Sequence, residues 1–216
     1  MKKIDSHPLL AREGWLFTVL SVSAAVLATL FAPLWLTVVT WLIALFVLQF
    51  FRDPHRQIPQ AEGLLISPAD GKVIFTGEVD DPYLDRTAFK ISVFMNVFSV
   101  HSNRAPVSGT VNKIEYAAGS FVNAAFDKAS EQNERNAVYI KTPDGADVVS
   151  VQIAGLVARR ILCYVNEGDV LERGQRYGFI RFGSRVDLYL PTGFEPSVVL
   201  GDKVTAGTSI LGKFPS

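Results

Sequence analysis

Histidine is scarce in this chain, and one of its three histidines lies where it could move a proton. His101 ends an apolar, strand-like run and is followed by a turn-forming segment, 102–106. An imidazole at such a junction can act as a general base. A half-buried histidine that bonds the backbone is the ordinary alternative, and His101 alone does not decide between the two. His7 and His55 flank a long apolar stretch, where interfacial positions are expected.

The second group with chemical potential is the pair Gly183-Ser184, which lies between two strand-like runs, 177–182 and 186–190. The pair does not form the Gly-x-Ser-x-Gly elbow of hydrolases. If the peptide bond between the two residues is held in a bent conformation, the Ser184 hydroxyl can attack the Gly183 carbonyl carbon. That attack would leave an ester at Ser184 and a new chain end at Gly183.

Asp70 is a weaker candidate, because it stands before a glycine in the turn-like segment 67–71. An aspartate in that position most often hydrogen-bonds its own backbone. The residue pattern alone therefore predicts a structural role for Asp70. No metal site is predicted, since no second histidine, His-Glu-x-x-His motif or carboxylate cluster accompanies His101.

The elements that must position these residues fall into two regions of different composition. Residues 14–51 contain no charged side chain and hold all three tryptophans. Pro33 divides this stretch into halves of 17 and 18 residues, and a helix of that length reaches about 26 Å. Because the hydrocarbon core of a bilayer is about 30 Å thick, the stretch predicts a membrane-inserted helical hairpin with its turn at Ala32 and Pro33.

Basic residues flank the hairpin on both sides: Lys2, Lys3 and Arg12 before it, Arg52 and Arg56 after it. Positive charge marks the cytoplasmic side of a membrane segment, so both ends are expected there, at the cell membrane. A cleaved signal peptide would have a shorter apolar region, and a buried core hairpin would carry charge on its outer face. The sequence leaves open whether the hairpin spans the bilayer or dips into it.

Residues 57–216 are predicted to form a separate, mainly β domain after an anchor and linker at 1–56. Short β-favouring runs alternate there with turn residues. The segment 124–134 is the one place in this domain where the sequence could form an amphipathic helix. The predicted strands are 64–66, 72–79, 88–97, 110–116, 137–142, 146–153, 157–165, 177–182 and 186–190.

Two turn–strand units recur within this domain. The segment 68–73 resembles 106–111, and Gly168-Asp169-Val170 resembles Gly201-Asp202-Lys203-Val204. Such recurrence predicts a β-rich fold of paired hairpins, similar to barrel-sandwich domains.

Composition excludes several classes of protein. Lys and Arg together number 21, as do Asp and Glu, so the net charge of zero argues against a nucleic-acid binder. Charged residues make up 19% and the mean hydropathy is +0.24, which excludes a disordered chain and disfavours a fully water-soluble one. The single cysteine, Cys163, excludes an internal disulfide and a cysteine-based zinc site.

From about residue 51 onward, the chain resembles the phosphatidylserine decarboxylase proenzymes in their short form. The matching motifs stand in the family's order: Phe51-Arg52-Asp53-Pro54, Ser67-Pro68-Ala69-Asp70-Gly71-Lys72-Val73, Phe94-Met95-Asn96-Val97-Phe98-Ser99-Val100-His101, Asn103-Arg104-Ala105-Pro106, Asn133-Glu134-Arg135-Asn136 and Phe182-Gly183-Ser184-Arg185-Val186-Asp187. Each motif is short, and the ordered set carries the resemblance. The apolar hairpin ahead of them suits an enzyme whose substrate is a lipid.

The resemblance implies a self-processing enzyme. Cleavage between Gly183 and Ser184 would give a β chain, 1–183, and an α chain, 184–216, that form a heterodimer. Ser184 would undergo an N→O acyl shift, β-elimination and loss of ammonia, and would become an N-terminal pyruvoyl group. This covalent cofactor would form a Schiff base with phosphatidylserine in the membrane, release carbon dioxide and yield phosphatidylethanolamine.

The resemblance also implies roles for three residues. In long-form members an Asp, a His and this Ser act as a processing triad, and Asp70, His101 and Ser184 are the best matches here. His101 would deprotonate the Ser184 hydroxyl and Asp70 would orient the imidazolium. The long forms carry His-x-x-His before the proline, but this chain has Arg104 at the second position. His101 would then serve both in processing and as the proton donor to the substrate carbon.

Substrate contacts are predicted only as sets of candidates. The lipid phosphate or carboxylate could be met by Arg104, Lys90 or Arg185. An apolar mouth could be formed by Phe94, Met95, Phe98 and Phe121, although aromatic residues on strands usually belong to the core.

Two other classes of function draw on the same features. A membrane-tethered carrier module would need an accessible hairpin lysine, and Lys72 and Lys203 lie near glycine-rich turns without a convincing modification context. A serine hydrolase would use Ser184, His101 and Asp70 but keep the chain whole. Decarboxylation of another phosphoserine lipid, with ether in place of acyl chains, fits the residues equally well.

Overall fold

The computed structural model describes residues 7–120, 124–125, 132–155, 160–181 and 183–215. These residues fall into two compact units that divide between His55 and Arg56. The first unit holds the helices and the second holds the strands.

The first unit is the helical hairpin that the sequence predicts. Helix α1 covers Trp15–Phe31 and helix α2 covers Leu34–Phe50, so the prediction of a helix pair with its turn at Ala32 and Pro33 is confirmed. Pro33 has no backbone N–H to continue α1. Its extended conformation, with φ −64° and ψ 154°, begins α2.

Small residues bring the two helices together. Ala25, Ala28 and Ala44 are buried, and the Thr37 hydroxyl donates a hydrogen bond across the pair to the Ala28 carbonyl at 3.0 Å. Most of the larger apolar side chains of both helices are exposed instead. The segment Arg12–Phe31 is long and apolar enough to cross a membrane, judged by length and composition alone. A seam of small residues and an apolar outer surface suit a helix pair in lipid.

The second unit is an antiparallel β structure, and the prediction of a mainly β fold of paired hairpins is confirmed. Its strands among the described residues are β1 (Leu64–Ile66), β2 (Gly71–Asp81), β3 (Arg86–Met95), β4 (Ser102–Arg104), β5 (Gly109–Ala117), β6 (Arg135–Lys141), β7 (Asp147–Ala154), β8 (Ile161–Cys163), β9 (Val170–Leu171), β10 (Arg176–Ile180), β11 (Ser184–Leu190), β12 (Glu195–Pro196), β13 (Lys203–Val204) and β14 (Ile210–Lys213). Eight of them form one sheet in the order β13-β2-β3-β11-β7-β6-β5-β9. Two smaller sheets have the orders β4-β10-β8 and β1-β14-β12.

Strand β11 lies at the centre of the large sheet, between β3 and β7. All of its residues are buried, so both of its faces are covered. Val186, Leu188 and Leu190 belong to the larger apolar core. Because side chains alternate along a strand, Tyr189 projects to the other face, where it joins a smaller cluster with Val151. The first residue of this strand is therefore inside the protein.

The recurrent segments of the sequence also pair with each other in the same way. Segment 68–73 pairs with the segment that starts at Gly201, and segment 106–111 pairs with the segment that starts at Gly168, so each pair forms one turn–strand unit. In each unit, a valine N–H donates to an aspartate carbonyl, and the glycine before that aspartate donates back to the valine carbonyl. The members are Val73, Asp202 and Gly201 in one unit and Val111, Asp169 and Gly168 in the other. The four hydrogen bonds are 2.7–2.9 Å long, so the two halves of the β unit repeat the same local structure.

Most predicted strands agree with the structure to within a few residues. The prediction of 157–165 corresponds only to the three-residue strand β8, and residues 156–159 lie outside the described residues. Strands β4, β9, β12, β13 and β14 were not predicted, because each has two to four residues and forms only by pairing with a neighbour. The helix expected around 124–134 falls mostly outside the described residues.

Strand β11 carries a buried ion cluster on the face opposite the larger core. The Asp187 carboxylate lies 2.8 Å from Arg185 Nε and 3.2 Å from Lys90 Nζ. Arg185 is only 1% exposed, and its Nη1 also donates to the Ala124 carbonyl at 3.0 Å. One buried carboxylate therefore compensates two cations.

We expect Asp187→Ala to lower the free energy of unfolding by about 3–5 kcal/mol, because it leaves the buried Arg185 guanidinium without its counter-charge. Asp187→Asn should lose less, since its amide oxygen still accepts a hydrogen bond from Arg185. Urea unfolding of the detergent-solubilised protein measures both variants. Equal losses would show that the lost charge accounts for the whole effect, whereas no loss in Asp187→Asn would contradict a stabilising role for the charge.

Candidate active site

Ser184 is the first residue of β11 and is fully buried. It lies directly opposite Met95 on β3 and Ala154 on β7. Its Oγ has no hydrogen-bond partner among the residues that the structure describes. A buried hydroxyl without a partner is unusual in a folded protein, and this one adjoins a carbonyl of its own chain.

The chain bends immediately before Ser184. Gly183 has φ 63°, in the left-handed region that favours glycine. A Cβ added at this position would meet nothing within 4 Å, so the backbone conformation and not the space requires a glycine. The bond between Gly183 and Ser184 therefore follows a bend in the backbone, as expected from the sequence.

Gly155 packs directly against the Gly183 carbonyl. A Cβ added at residue 155 would lie 2.1 Å from the Gly183 oxygen and 3.0 Å from its carbonyl carbon. It would also lie 3.3 Å from Ala124 Cβ. The absence of a side chain at residue 155 therefore allows the carbonyl to occupy its observed position. No motif in the sequence predicts a role for Gly155.

A buried asparagine fixes the strand end that carries Gly155. The Asn133 Nδ2 donates a hydrogen bond to the Ala154 carbonyl at 2.7 Å. The Ala154 N–H donates to the Glu134 carbonyl at 2.9 Å. Asn133 and Glu134 belong to a motif of the family resemblance, but that motif by itself predicted no role for them.

His101 is fully buried and lies against strand β10. Its carbonyl accepts a hydrogen bond from the Ile180 N–H at 3.3 Å, and its ring centroid lies 6.3 Å from that of Phe179. Because β10 ends at Ile180, the chain continues from this contact through three residues to Gly183. The backbone of His101 thus contacts strand β10 at a residue three positions before Gly183.

The Asp70 carboxylate lies in a different environment. Arg56 Nη2 donates to both of its oxygens, at 3.0 and 2.9 Å, and the Ala206 N–H donates to Oδ1 at 2.7 Å. Among the described residues, His101 is not a partner of this carboxylate. The hydrogen bond that the triad requires is therefore not made here, and the assignment of Asp70 to the triad stays a prediction.

The three candidate cations have partners within the protein. Arg104 is buried and donates to the Gly174 carbonyl at 3.0 Å. Lys90 and Arg185 both pair with Asp187. All three side chains are therefore already engaged by protein groups.

The candidate apolar residues occupy different environments. Met95 is buried in the core and Phe94 is half-buried, whereas Phe98 is 64% exposed in the turn between β3 and β4. Phe121 lies outside the described residues.

A row of three buried side-chain amides ends at Met95, which lies opposite Ser184 on β3. The sequence predicted no role for these amides. Asn136 Nδ2 donates to Gln152 Oε1 at 3.0 Å, and Gln152 Nε2 donates to Asn103 Oδ1 at 2.8 Å. Asn103 Nδ2 in turn donates to Met95 Sδ at 3.9 Å. The three amide residues are distant in sequence and lie on two sheets, so no local pattern could predict that they meet.

Known proteins share this chain's sequence over nearly its whole length. The model of a family described as phosphatidylserine decarboxylase matches residues 43–212. The phosphatidylserine decarboxylase proenzyme of Aromatoleum aromaticum is 58% identical over 209 residues, which cover 97% of each chain. The proenzyme of Cupriavidus metallidurans is 57% identical over 95% of each chain. That of Paraburkholderia phymatum is 55% identical over 96% of this chain and 98% of its own.

The chain belongs to the phosphatidylserine decarboxylase family. The resemblance carried by the ordered motifs is thereby confirmed. The family match includes Asp70, His101 and Ser184 together with the residues that surround the bend at Gly183. The relatives also match the helical hairpin, which the decarboxylase family model covers only from residue 43 onward.

The contacts of Asp70 generate a test of its ion pair with Arg56. Arg56→Gln and Asp70→Asn should each lower the free energy of unfolding by about 1 kcal/mol, because both disrupt one partly buried ion pair. Asp70→Asn keeps an oxygen that can accept from the Ala206 N–H. The double variant should lose little more than either single variant, and denaturant unfolding measures this coupling. Fully additive losses would contradict the pairing.

Proposed function

We propose that this protein is a membrane-attached phosphatidylserine decarboxylase whose cofactor is made from its own Ser184. The burial of Ser184 carries the proposal. Its hydroxyl is shielded from solvent, so the carbonyl within its reach belongs to its own chain, at Gly183. A serine hydrolase needs a nucleophile that an external substrate can touch, as on an exposed elbow. In the uncut chain the burial therefore favours attack on the chain's own carbonyl over attack on another molecule.

In the proposed cleavage, Ser184 Oγ attacks the Gly183 carbonyl carbon, and the Ser184 nitrogen leaves as an amine, which gives an ester. Removal of the Ser184 Cα proton then expels the Gly183 carboxylate, which keeps the former Oγ. The remaining enamine tautomerises, takes up water and releases ammonia. Residue 184 thereby becomes a pyruvoyl group at the start of the α chain, and the β chain ends at Gly183.

His101 is the proposed base that takes the proton from the Ser184 hydroxyl. Its burial and its contact with Ile180, three residues before Gly183, support this role. The same imidazole is proposed to protonate the substrate carbon after carbon dioxide leaves. Asp70 is proposed to orient the imidazolium, for which its carboxylate would have to accept a hydrogen bond from His101 in addition to those from Arg56 and the Ala206 N–H.

The residues around position 184 fit a pyruvoyl group. The group would stand between Met95 and Ala154, in a buried setting that limits access of water. Arg185, held by Asp187 and by the Ala124 carbonyl, would keep the new chain end in the sheet. When present, a pyruvoyl group supplies a carbonyl that reacts with the serine amine of the lipid and accepts the electron pair left by carbon dioxide.

The helical hairpin is proposed to attach the enzyme to the cell membrane. Its apolar outer surface and its small-residue seam support insertion into lipid. The basic residues on both flanks support a cytoplasmic position for the β domain, 57–216. Phosphatidylserine, which appears in the names of the relatives, is a membrane lipid, and such an anchor would keep the β domain close to it.

Ser184→Ala should leave one uncut chain without decarboxylase activity, because both the nucleophile and the source of the pyruvoyl group are removed. Ser92→Ala is the matched control, since Ser92 is also buried on a neighbouring strand and its Oγ also has no partner among the described residues. That variant should be cut and active. Intact mass analysis should give wild-type chains 1–183 and 184–216, the second with a pyruvoyl terminus. An uncut but active wild-type protein would refute the proposal.

Gly155→Ala should slow self-cleavage by about 100-fold, because a Cβ there displaces the Gly183 carbonyl and misplacement by 1 Å can cost that much. Gly109→Ala is the matched control: its Cβ would lie 2.3 Å from the Lys141 carbonyl oxygen, three strands away from β11. Both variants should be less stable, but only Gly155→Ala should accumulate uncut precursor in a pulse–chase experiment. Equal cleavage rates in the two variants would show that the contact at Gly155 does not matter.

A further inference from the structure

The three buried amides form a chain with a direction. Each side-chain amide donates to the oxygen of the next, from Asn136 to Gln152 to Asn103. All three residues are buried, so water cannot replace these partners. The chain ends in the Asn103 Nδ2 group, whose partner is the thioether of Met95 at 3.9 Å. Because a thioether is a weak acceptor, the donor at the end of the chain is poorly used.

The strand order places this donor over β11. Asn103 Oδ1 bonds a side chain of β7, Gln152, and Nδ2 contacts a side chain of β3, Met95. Strand β11 lies between β7 and β3, with strands about 4.8 Å apart. Met95 is opposite Ser184 and Gln152 is opposite Val186. The Asn103 amide therefore bridges across β11 at the level of these two residues.

Ser184 and the Asn103 amide lie on the same side of the sheet. Side chains two residues apart share a face, so Ser184 projects with Val186 toward the side where Gln152 and Met95 meet Asn103. The Ser184 Oγ has no hydrogen-bond partner among the described residues, and it is buried. A hydroxyl that lacks a partner and an amide donor with only a weak one thus face the same small volume.

We propose, on the basis of the self-cleavage proposed above, that Asn103 donates a hydrogen bond from Nδ2 to Ser184 Oγ during cleavage, and that Gln152 and Asn136 fix the direction of this donor. A donor at Oγ stabilises the negative charge that develops there as the hydroxyl proton moves to the base. It also leaves that proton directed away from Asn103. Asn103 is then the hydrogen-bond donor to the nucleophile, and Gln152 and Asn136 are positioning residues.

The direction of the chain is what makes the proposal specific. If the Asn103 amide were turned over, its oxygen would face Ser184 and would attract the hydroxyl proton. The bond from Gln152 Nε2 to Asn103 Oδ1 prevents this rotation. The bond from Asn136 Nδ2 to Gln152 Oε1 in turn keeps the Gln152 amide oriented with its nitrogen toward Asn103. Gly178 leaves room for the link, since a Cβ there would lie 2.5 Å from Gln152 Nε2.

The test measures cleavage of the full-length precursor in four variants. Asn103→Leu and Asn103→Asp remove the donor and should slow cleavage by about 100-fold. Asn136→Asp should slow it similarly without touching Ser184, because a carboxylate there accepts from Gln152 and so turns both following amides over. Adding Asn136→Asp to Asn103→Asp should cause no further slowing. Asn103→Ser supplies a hydroxyl that can both accept and donate, so it should cleave faster than Asn103→Leu.

A matched control separates this role from general packing. Tyr177→Phe removes a buried hydrogen bond to Ser150, 2.9 Å long and on the same face of β7 as Gln152. It should cleave at the wild-type rate. Each substitution is repeated in the uncut Ser184→Ala background, where thermal unfolding reports stability without cleavage. In that background the slow variants should melt within a few degrees of Tyr177→Phe. With Ser184 present, the slow variants should contain no ester that hydroxylamine can cut, because the proposed donor acts before the ester forms.

The possible outcomes distinguish this inference from the proposed function. Cleavage at the wild-type rate in Asn103→Leu or Asn136→Asp would overturn the inference and leave self-cleavage intact. Slowing that follows melting temperature across all variants, with no rescue in Asn103→Ser, would also overturn it. An uncut wild-type protein would refute the self-cleavage itself.

Discussion

The proposed self-cleavage sets one constraint on this fold: the groups that act on the Gly183–Ser184 bond must be held around it, and the fold must survive its loss. Ser184 begins the central strand of the large sheet, where it is shielded from solvent. Every group that acts on the Gly183–Ser184 bond must therefore come from the protein itself and must already be in place. In the uncut chain, the burial that shields this hydroxyl from an external substrate also limits access of water, which would otherwise compete for the ester.

Survival of the fold depends on how β11 is held. After cleavage its first residue would be a chain end, and chain ends fray unless they are tied down. Strand β11 pairs with β3 along all of its residues and with β7 along most of them. The Asp187 carboxylate adds an ionic anchor, because Arg185 is the second residue of the proposed α chain. The noncovalent contacts of β11 can thus hold the strand in place if the proposed cleavage removes the covalent link.

The prediction of the fold from sequence succeeded where the signals were local. Pro33 and the long run without charge gave the helical hairpin, and the recurrent Gly-Asp turns gave the paired hairpins of the β unit. Local signals could not give the strand order, which places Met95 and Ala154 on either side of Ser184. Short strands such as β9 and β13 have no pattern of their own, since they exist only through their partners.

The candidate site shows the same division. Gly183, Ser184 and His101 were predicted because they stand in recognisable motifs, and the structure gives them burial and a bend that the proposed chemistry can use. Gly155 carries no signal in the sequence, since its requirement comes from a carbonyl 28 positions away in the chain. Asn103 and Asn136 stand in motifs of the resemblance, but their link through Gln152 could not be predicted, because a buried asparagine or glutamine cannot be told from a surface one until its partners are known.

Asp70 is the residue whose role the internal repeat clarifies most. Its counterpart in the second unit is Ser108, whose hydroxyl accepts from the Arg173 N–H at 2.9 Å, as Asp70 accepts from the Ala206 N–H. A neutral hydroxyl is thus sufficient to hold this turn, and the turn does not explain the charge of Asp70. In this structure the charge is compensated by Arg56, at the start of the β unit. The two oxygens of a carboxylate can accept several hydrogen bonds, so the bond to Arg56 does not by itself prevent Asp70 from also accepting one from His101. The processing triad requires that further contact.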